Sequence, residues 1–277
     1  MKFTKMHGAG NDYIYIDCFV QKVDNPKELS KKISDRHFGI GADGVVLIKP
    51  SKIADCFMDI YNADGTRAQM CGNAVRCTAK YIYDNKTKKK IIGIDTFSGV
   101  KLVEIFCENG DAVGGRVNMG KPILNGHQIP TRYGTSIVKN EKINVDNKFY
   151  EITCVSMGNP HCVVFCKDIN KLDLETIGPR FENHEMFPER INTEFVEVLD
   201  ENHLKMRVWE RGSGETLACG TGACASAVAA ILNGYCKKNT EIEIQARGGV
   251  LSVKWCGNDN VHLSGNAVKV FDGEIDL

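Results

Sequence analysis

Alternating apolar and polar positions run along most of this chain, and two long apolar stretches interrupt them. The runs at 3–6, 13–17, 56–61, 91–97, 101–108 and 112–119 predict β-strands, and the continuous apolar run at 45–48 predicts a strand buried on both faces. Asn25-Pro26 opens a helix that continues to Ser34, because proline suits a first helical turn. Asn62-Ala63-Asp64-Gly65 reads as a turn. The second part of the chain has the same texture. Strands are expected near Ile137 and Ile143 and at 150–156, 162–165, 193–199, 203–209, 241–245, 249–255, 260–263 and 267–271, with a helix or turn at 172–181. The two interruptions begin at Cys71 and Cys219. Small and apolar residues carry them to about Tyr83 and about Leu232, and the second stops at Asn233-Gly234, a helix C-terminal signal. A helix apolar on most faces has to be buried. The predicted fold class is therefore α+β, each half a mostly antiparallel curved sheet or barrel wrapped round a central helix.

The halves read as copies. Met70-Cys71-Gly72-Asn73 is echoed by Ala218-Cys219-Gly220-Thr221-Gly222, and Cys219 lies 148 residues after Cys71. Gly10-Asn11 and Gly158-Asn159 are also 148 apart, so the Asn-to-Cys interval is 60 residues in both halves. Tyr61-Asn62 and Trp209-Glu210 fall in the same register. Three anchors in register without a gap point to a duplicated domain. Gly120-Lys121-Pro122 reads as the crossing. The expected domains are 1–119 plus 265–277, carrying Cys71, and 120–264, carrying Cys219. A chain of 277 residues suits two such domains.

Composition removes several functional classes. With 35 basic and 35 acidic residues the net charge is zero, so nothing draws nucleic acid or an anionic membrane over long range. No run approaches 18 apolar residues, the length a membrane-spanning helix needs. The first residues reach Gly8 too early for a signal-peptide core, and a cytoplasmic protein is expected. There are twelve cysteines, and in that compartment they should be reduced. The closest pairs, Cys71/Cys77, Cys162/Cys166 and Cys219/Cys224, are too wide for a zinc knuckle, so no metal is expected. Cys18, Cys56, Cys107, Cys154, Cys162, Cys166, Cys236 and Cys256 read mostly as small core hydrophobes. The glycine-rich loop from Gly39 to Gly44 leads into a strand and not a helix, which argues against a phosphate cradle.

A cysteine at the start of each buried helix calls for a chemical reason. A first helical turn offers N–H donors and a partial positive charge. Gly72-Asn73 and Gly220-Thr221-Gly222 let the backbone approach an anion closely. The same field stabilises a thiolate, lowering its pKa from about 8.5. One such cysteine could be a nucleophile, while two related by duplication suggest acid–base work. If the copies face each other across a pseudo-twofold, two sulfurs approach one carbon from opposite sides, which suits inversion of a stereocentre. Preorganised donors aimed at an α-carboxylate would stabilise the enolate-like charge by about 3–4 kcal/mol each. No lysine sits in a recognisable cofactor motif, so no cofactor is expected. A duplicated binding protein with buried cysteines is the non-catalytic alternative.

Further motifs carry a resemblance. They are 5–13 (KMHGAGNDY), Tyr61-Asn62-Ala63-Asp64-Gly65, Met70-Cys71-Gly72-Asn73, 157–162 (MGNPHC), 190–195 (RINTEF), and Glu210-Arg211-Gly212 through to 219–222 (CGTG). Over essentially its whole length the chain resembles the diaminopimelate epimerases. The resemblance implies two pseudo-symmetric domains with the last strand returning to the first, a homodimer, and a substrate cleft between the domains. It implies pyridoxal-phosphate-independent epimerisation of L,L-2,6-diaminopimelate to the meso isomer, in lysine and peptidoglycan precursor biosynthesis. By position it makes Cys71 and Cys219 the acid–base thiols, with His161 and Glu210 supporting proton transfer. Gly72, Asn73, Gly220 and Thr221 would bind a carboxylate through N–H groups. Asn11, Asn62, Asn159, Asn192, Glu210 and Arg211 would line the substrate, Arg211 clamping the distal carboxylate. Two positions depart from the family's pattern. Gly44 stands where many relatives have a substrate-touching Gln, and Asn266 stands where Pro is common. Proline and hydroxyproline racemases are rivals without the Glu-Arg-Gly loop reading, and phenazine-type isomerases replace the thiols with a carboxylate.

Overall fold

The structure, a computed structural model, describes residues 1–134 and 136–276. Two compact units divide the chain, Met1–Asn118 with Ser264–Leu277, and Met119–Leu263.

The first unit opens with β1 (Lys2–Gly8) and β2 (Asn11–Asp17), an antiparallel hairpin. Its two turn residues, Ala9 at φ 50° and Gly10 at φ 79°, are both left-handed, as the tightest hairpin turn demands. Next come α1 (Pro26–Ser34), β3 (Gly44–Lys49), β4 (Cys56–Asn62), the two-residue β5 (Arg67–Ala68) and α2 (Gly72–Asn85). β6 (Ile91–Asp95), β7 (Lys101–Glu108) and β8 (Asp111–Gly120) follow. β2 and β3 run parallel, as do β4 and β6, and each parallel joint spans a helix. This is required because a parallel pair needs a long crossover. The other pairings within the unit are antiparallel, so the mostly antiparallel expectation holds with two parallel joints built in.

The second unit repeats this plan. β9 (Glu141–Val145) and β10 (Lys148–Ser156) lead to β11 (Pro160–Phe165), a 3-10 turn (Ile169–Lys171), α3 (Leu174–Glu182), β12 (Asn192–Val198), β13 (His203–Glu210) and β14 (Gly214–Thr216). Then come α4 (Gly220–Leu232), β15 (Ile242–Ala246), β16 (Gly249–Trp255) and β17 (Val261–Asn266). The last strand, β18 (Val268–Glu274), returns to pair with β1. The parallel joints recur at β11–β12 and β13–β15. Ile137 forms an isolated bridge to Asn125 and no strand.

Register shows the duplication residue by residue. Tyr13 opposite Gly44 recurs as His161 opposite Asn192, and Val45 opposite Tyr61 as Thr193 opposite Trp209. Tyr61 opposite Arg67 recurs as Trp209 opposite Glu215.

The strands β2, β3, β11 and β12 are buried on both faces. Ile14, Ile16, Val45 and Leu47 pack with Leu29 and Ile33 of α1, while Tyr13 and Tyr15 on the opposite pleat face lie beside Cys71 and Cys77 of the α2 segment. In the second unit, Phe181 of α3 stands edge-on to Phe195 at 5.3 Å. α4 is built of small and apolar residues apart from Thr221 and Ser226, with 223–230 fully buried. α2 departs from the expectation of an apolar helix. It is equally enclosed but carries Arg76, wholly buried, and Lys80, whose ammonium is held by Asp84 and the Ala112 carbonyl. Among the cysteines expected in the core, Cys107 is a correction: it lies exposed on β7, where its alternate position points outward. Cys18, Cys166 and Cys256 are half-buried, and the other four are buried.

Asp59 on β4 is fully buried, with Lys49 Nζ at 2.6 Å and the Arg67 Nε at 2.7 Å. Burial pushes its carboxyl up, but hydrogen bonds from Arg67 and Lys49 outweigh that and hold it below the usual carboxylate value. A lowered folded pKa stabilises the fold above the unfolded value of about 3.9 and is lost as pH falls through the folded pKa. Asp59→Asn should therefore cost about 1–3 kcal/mol at neutral pH. In urea unfolding from pH 7 to pH 3, its midpoint should converge on that of the wild type at the acid end. A pH-independent gap would refute the assignment.

Candidate active site

In the first unit the loop before α2 and the start of β2 bring four expected residues together. Cys71 N-caps α2 in extended conformation, φ −141° and ψ 120°, and its carbonyl accepts the first helical bond from Val75. Its Sγ donates to Asn11 Oδ1 at 3.3 Å, and Asn73 Nδ2 approaches the same oxygen at 3.5 Å. Asn11 Nδ2 donates to Asp43 Oδ2 at 2.8 Å, so an anion on one side orients the amide oxygen toward the thiol. Asp43 is held by the Asp12 N–H and by Arg36, which also bonds Asp12, while Lys5 pairs with Asp12 at 2.6 Å. Burial raises the Asp43 carboxyl, reinforced by the charge of Asp12. Arg76 donates to the Gly72 carbonyl at 3.1 Å and to Asn73 Oδ1 at 2.7 Å. Tyr13 sits beside Cys71, its phenol pushed well up by burial and then by that thiol, and so stays neutral. Asn62 belongs to the β4–β5 turn, where Nδ2 donates to Thr66 Oγ1 at 3.0 Å.

In the second unit Cys219 N-caps α4 with φ −119° and ψ 115°. Its sulfur lies 3.4 Å from the Gly222 N–H and 3.4 Å from the Thr221 hydroxyl. The thiol is pushed well up by burial, then by the charges of Glu210 and Glu194. Glu210 is itself pushed up by burial, opposed by hydrogen bonds from Thr216, at 2.5 Å, and from Cys219. His161 is wholly buried, with Nδ1 2.7 Å from Glu194 Oε1 and Nε2 3.1 Å from Asn159 Oδ1. Asn192 uses both ends of its amide as a brace: Nδ2 donates to the Pro160 carbonyl and Oδ1 accepts from the Arg211 N–H. The Arg211 guanidinium donates to the Glu189 carbonyl at 2.8 Å.

Glu194 is the residue that sequence reasoning missed. Its signal is Gly222, where an added Cβ would lie 2.5 Å from Glu194 Oε1. That glycine leaves room for a carboxylate under the first turn of α4. Among the described residues, no group of three or more His, Cys, Asp or Glu is arranged to hold a metal ion.

A family model described as diaminopimelate epimerase matches residues 3–125 and 153–270. A diaminopimelate epimerase of Acetivibrio thermocellus is 52% identical over 279 residues, covering 100% of this chain and 99% of the relative. One from Methanococcus maripaludis strain C5 is 51% identical, covering 100% of both. The chain belongs to the diaminopimelate epimerase family. Its fold extends further. The crystal structure of a probable proline racemase from Agrobacterium radiobacter K84 superposes with a TM-score of 0.74 at 12% identity, over 100% of this chain and 93% of that one. At that identity the likeness concerns the fold alone.

Within this diaminopimelate epimerase fold, Gly44 has a steric explanation. A Cβ there would lie 2.1 Å from the Tyr61 carbonyl oxygen and 3.0 Å from a Tyr13 ring carbon. No side chain fits without moving β4, whereas Asn192 at the same register in the second unit is accommodated and bonded. Gly44→Ala should cost about 1–3 kcal/mol by overpacking. Gly93→Ala on β6, whose nearest neighbour would be 3.5 Å away, should be close to neutral in the same urea titration. Equal effects would refute the steric account.

Proposed function

We propose that the protein epimerises L,L-2,6-diaminopimelate to the meso isomer without pyridoxal phosphate, supplying a precursor of lysine and peptidoglycan. The observation that carries the reading is the pair of cysteines, each capping a buried helix at the same place in a duplicated unit. One sulfur, as thiolate, removes the α-proton, and the other, as thiol, returns a proton to the opposite face. The roles exchange for the reverse direction, so protons balance and the carbon inverts. The N–H groups of Gly72-Asn73 and Gly220-Thr221 receive the α-carboxylate and the charge that develops on it. Glu210, hydrogen-bonded to Cys219, accepts from the reacting ammonium and exchanges a proton with that thiol. His161, fixed by Glu194 and Asn159, supports the same transfer. Arg211, on the loop braced by Asn192, clamps the distal carboxylate, with Asn11, Asn62 and Asn159 as further polar contacts.

The test is deuterium incorporation from D2O at the α-carbon of L,L-diaminopimelate, with L-proline as the competing substrate. Wild type should exchange and epimerise diaminopimelate only, and Cys71→Ala and Cys219→Ala should each lose epimerisation by at least about a thousandfold. Full epimerisation by either variant would end the two-thiol mechanism, and exchange into proline would move the protein to another branch of the fold.

The assembly we infer is a cytoplasmic homodimer. No helix among the described residues is long and apolar enough to cross a membrane. β18 presents Val268, Val270 and Phe271 as exposed apolar side chains, a surface suited to a second copy of the chain. Sedimentation should show a dimer that Phe271→Asp converts to monomer. An unchanged sedimentation coefficient in that variant would place the contact elsewhere.

A further inference from the structure

The two cysteines share a backbone setting, yet the charges buried beside them have opposite signs. Against the first turn of α2, which Cys71 caps, lies Arg76, one of the largest fully buried side chains among the described residues. A guanidinium keeps its charge at any pH a folded protein meets. Its fork is spent on the first turn of α2, with Nη1 on the Gly72 carbonyl and Nη2 on Asn73 Oδ1 at 2.7 Å. With Asn73 Oδ1 held there, the amide's other end turns toward Asn11 Oδ1, the atom that accepts from Cys71 Sγ. The repeat-equivalent position in α4 is Cys224, small, apolar and buried. There the capping thiol faces carboxylates, Glu210 bonded to it and Glu194 under Gly222.

We propose that Arg76 is a positioning residue for Cys71: its fork locks Asn73 and the first turn of α2 so that Asn11 stays aimed at the sulfur, and its buried charge favours the thiolate at Cys71 over that at Cys219. The inference deepens the acid–base reading and rests on it only for the consequence in turnover.

The groups around Cys71 allow this. Tyr13 and Tyr15 from β2 are neutral, their phenols pushed well up by burial. Cys77 on α2 is pushed up to about 11 by burial, with Arg76 pulling the other way, so the guanidinium field reaches a neighbouring thiol. Asp43 acts through Asn11, and its charge and that of Asp12 are met by Arg36 and Lys5. Removing the Arg76 charge would take a cation away from the first turn of α2, and with it support for a thiolate at Cys71.

The experiment is iodoacetamide alkylation of the reduced full-length protein across pH, with each cysteine followed by peptide mass spectrometry. In wild type, Cys71 should reach half-maximal reactivity at least one pH unit below Cys219. In Arg76→Met the Cys71 midpoint should move up by a pH unit or more, slowing its alkylation at least tenfold at pH 7, with the Cys219 midpoint unmoved. Arg76→Lys keeps the charge and loses the fork, so it should move the Cys71 midpoint by less. An unmoved Cys71 midpoint, or an equal shift of both thiols, overturns the proposal whether or not turnover falls. If Arg76→Met does not fold, Arg76→Lys decides alone: a Cys71 midpoint equal to wild type overturns it. Because alkylation needs no substrate, a wrong assignment of the reaction would leave this result standing.

Discussion

The first turn of each central helix is largely buried, and its N–H groups need partners there. A surface helix meets that need with solvent or with a strong cap such as serine or aspartate. Here the capping residue is cysteine, a weak acceptor, at both Cys71 and Cys219. The only side-chain cap bond of the two is the 3.4 Å contact from the Gly222 N–H to the Cys219 sulfur. Two buried helix ends are thus left with donor capacity and a positive field, in a place where an unmet donor costs more than in water. A carboxylate would answer that need, and the same field favours a thiolate, although at Cys219 burial and two carboxylates oppose it. The flanking glycines, the surrounding asparagines and the buried ion pairs follow from this arrangement, because each shapes or orients what meets those donors.

Duplication supplied the same helix end twice, and the two copies then took different neighbours. The first unit backs its thiol with a cation under the helix and a neutral amide beside it. The second backs its thiol with carboxylates and a histidine. Two bases acting on one carbon cannot both be protonated or both be charged at the start of a turnover. A symmetric pair would populate the productive combination only as one of several states. Opposite buried charges of the kind proposed for Arg76 and the two glutamates would select one combination, and the divergence would then serve the chemistry that the duplication made possible.

Much of this was legible in the chain. The bounds of α1 at Pro26–Ser34 follow from Asn25-Pro26, and β7 and β16 lie where alternation places them. The cysteine helices and their common 148-residue offset were readable because small residues beside Cys-Gly are distinctive. The short strands β5 and β14 were not, since two or three residues carry no period. Arg76 looks like any helix-surface arginine until the sheet is known to close over it. Glu194 looks like a solvent-facing strand residue until α4 is laid across it. Gly44 reads as the end of a glycine-rich loop, whereas what excludes a side chain there is the carbonyl of Tyr61 on the neighbouring strand. Each of these depends on what another segment places nearby, and a one-dimensional pattern does not contain that.

The limits of the strict offset locate the constraint. Between Asn11 and Gly72, and between Asn159 and Gly220, the compared pairings recur 148 residues on. Outside that interval the spacing drifts. The β1–β2 turn has two residues, whereas Ser156 and Pro160 enclose three. The hairpin that opens at Ile94 and Lys101 in one unit closes at Ala246 and Gly249 in the other. Hairpin tips tolerate such changes because loop closure depends only weakly on length. The interior interval is less tolerant, since a one-residue slip in a strand buried on both faces exchanges every inward side chain for its neighbour. A slip in β2 relative to β3 would turn Tyr13 away from Cys71 and carry Asn11 off its bond to Asp43. In the first unit the 60 residues from Asn11 to Cys71 bring an amide oxygen to the sulfur that begins the helix. In the second, Asn159 turns its oxygen to His161, so what the two intervals share is the register of the buried strands and not that bond.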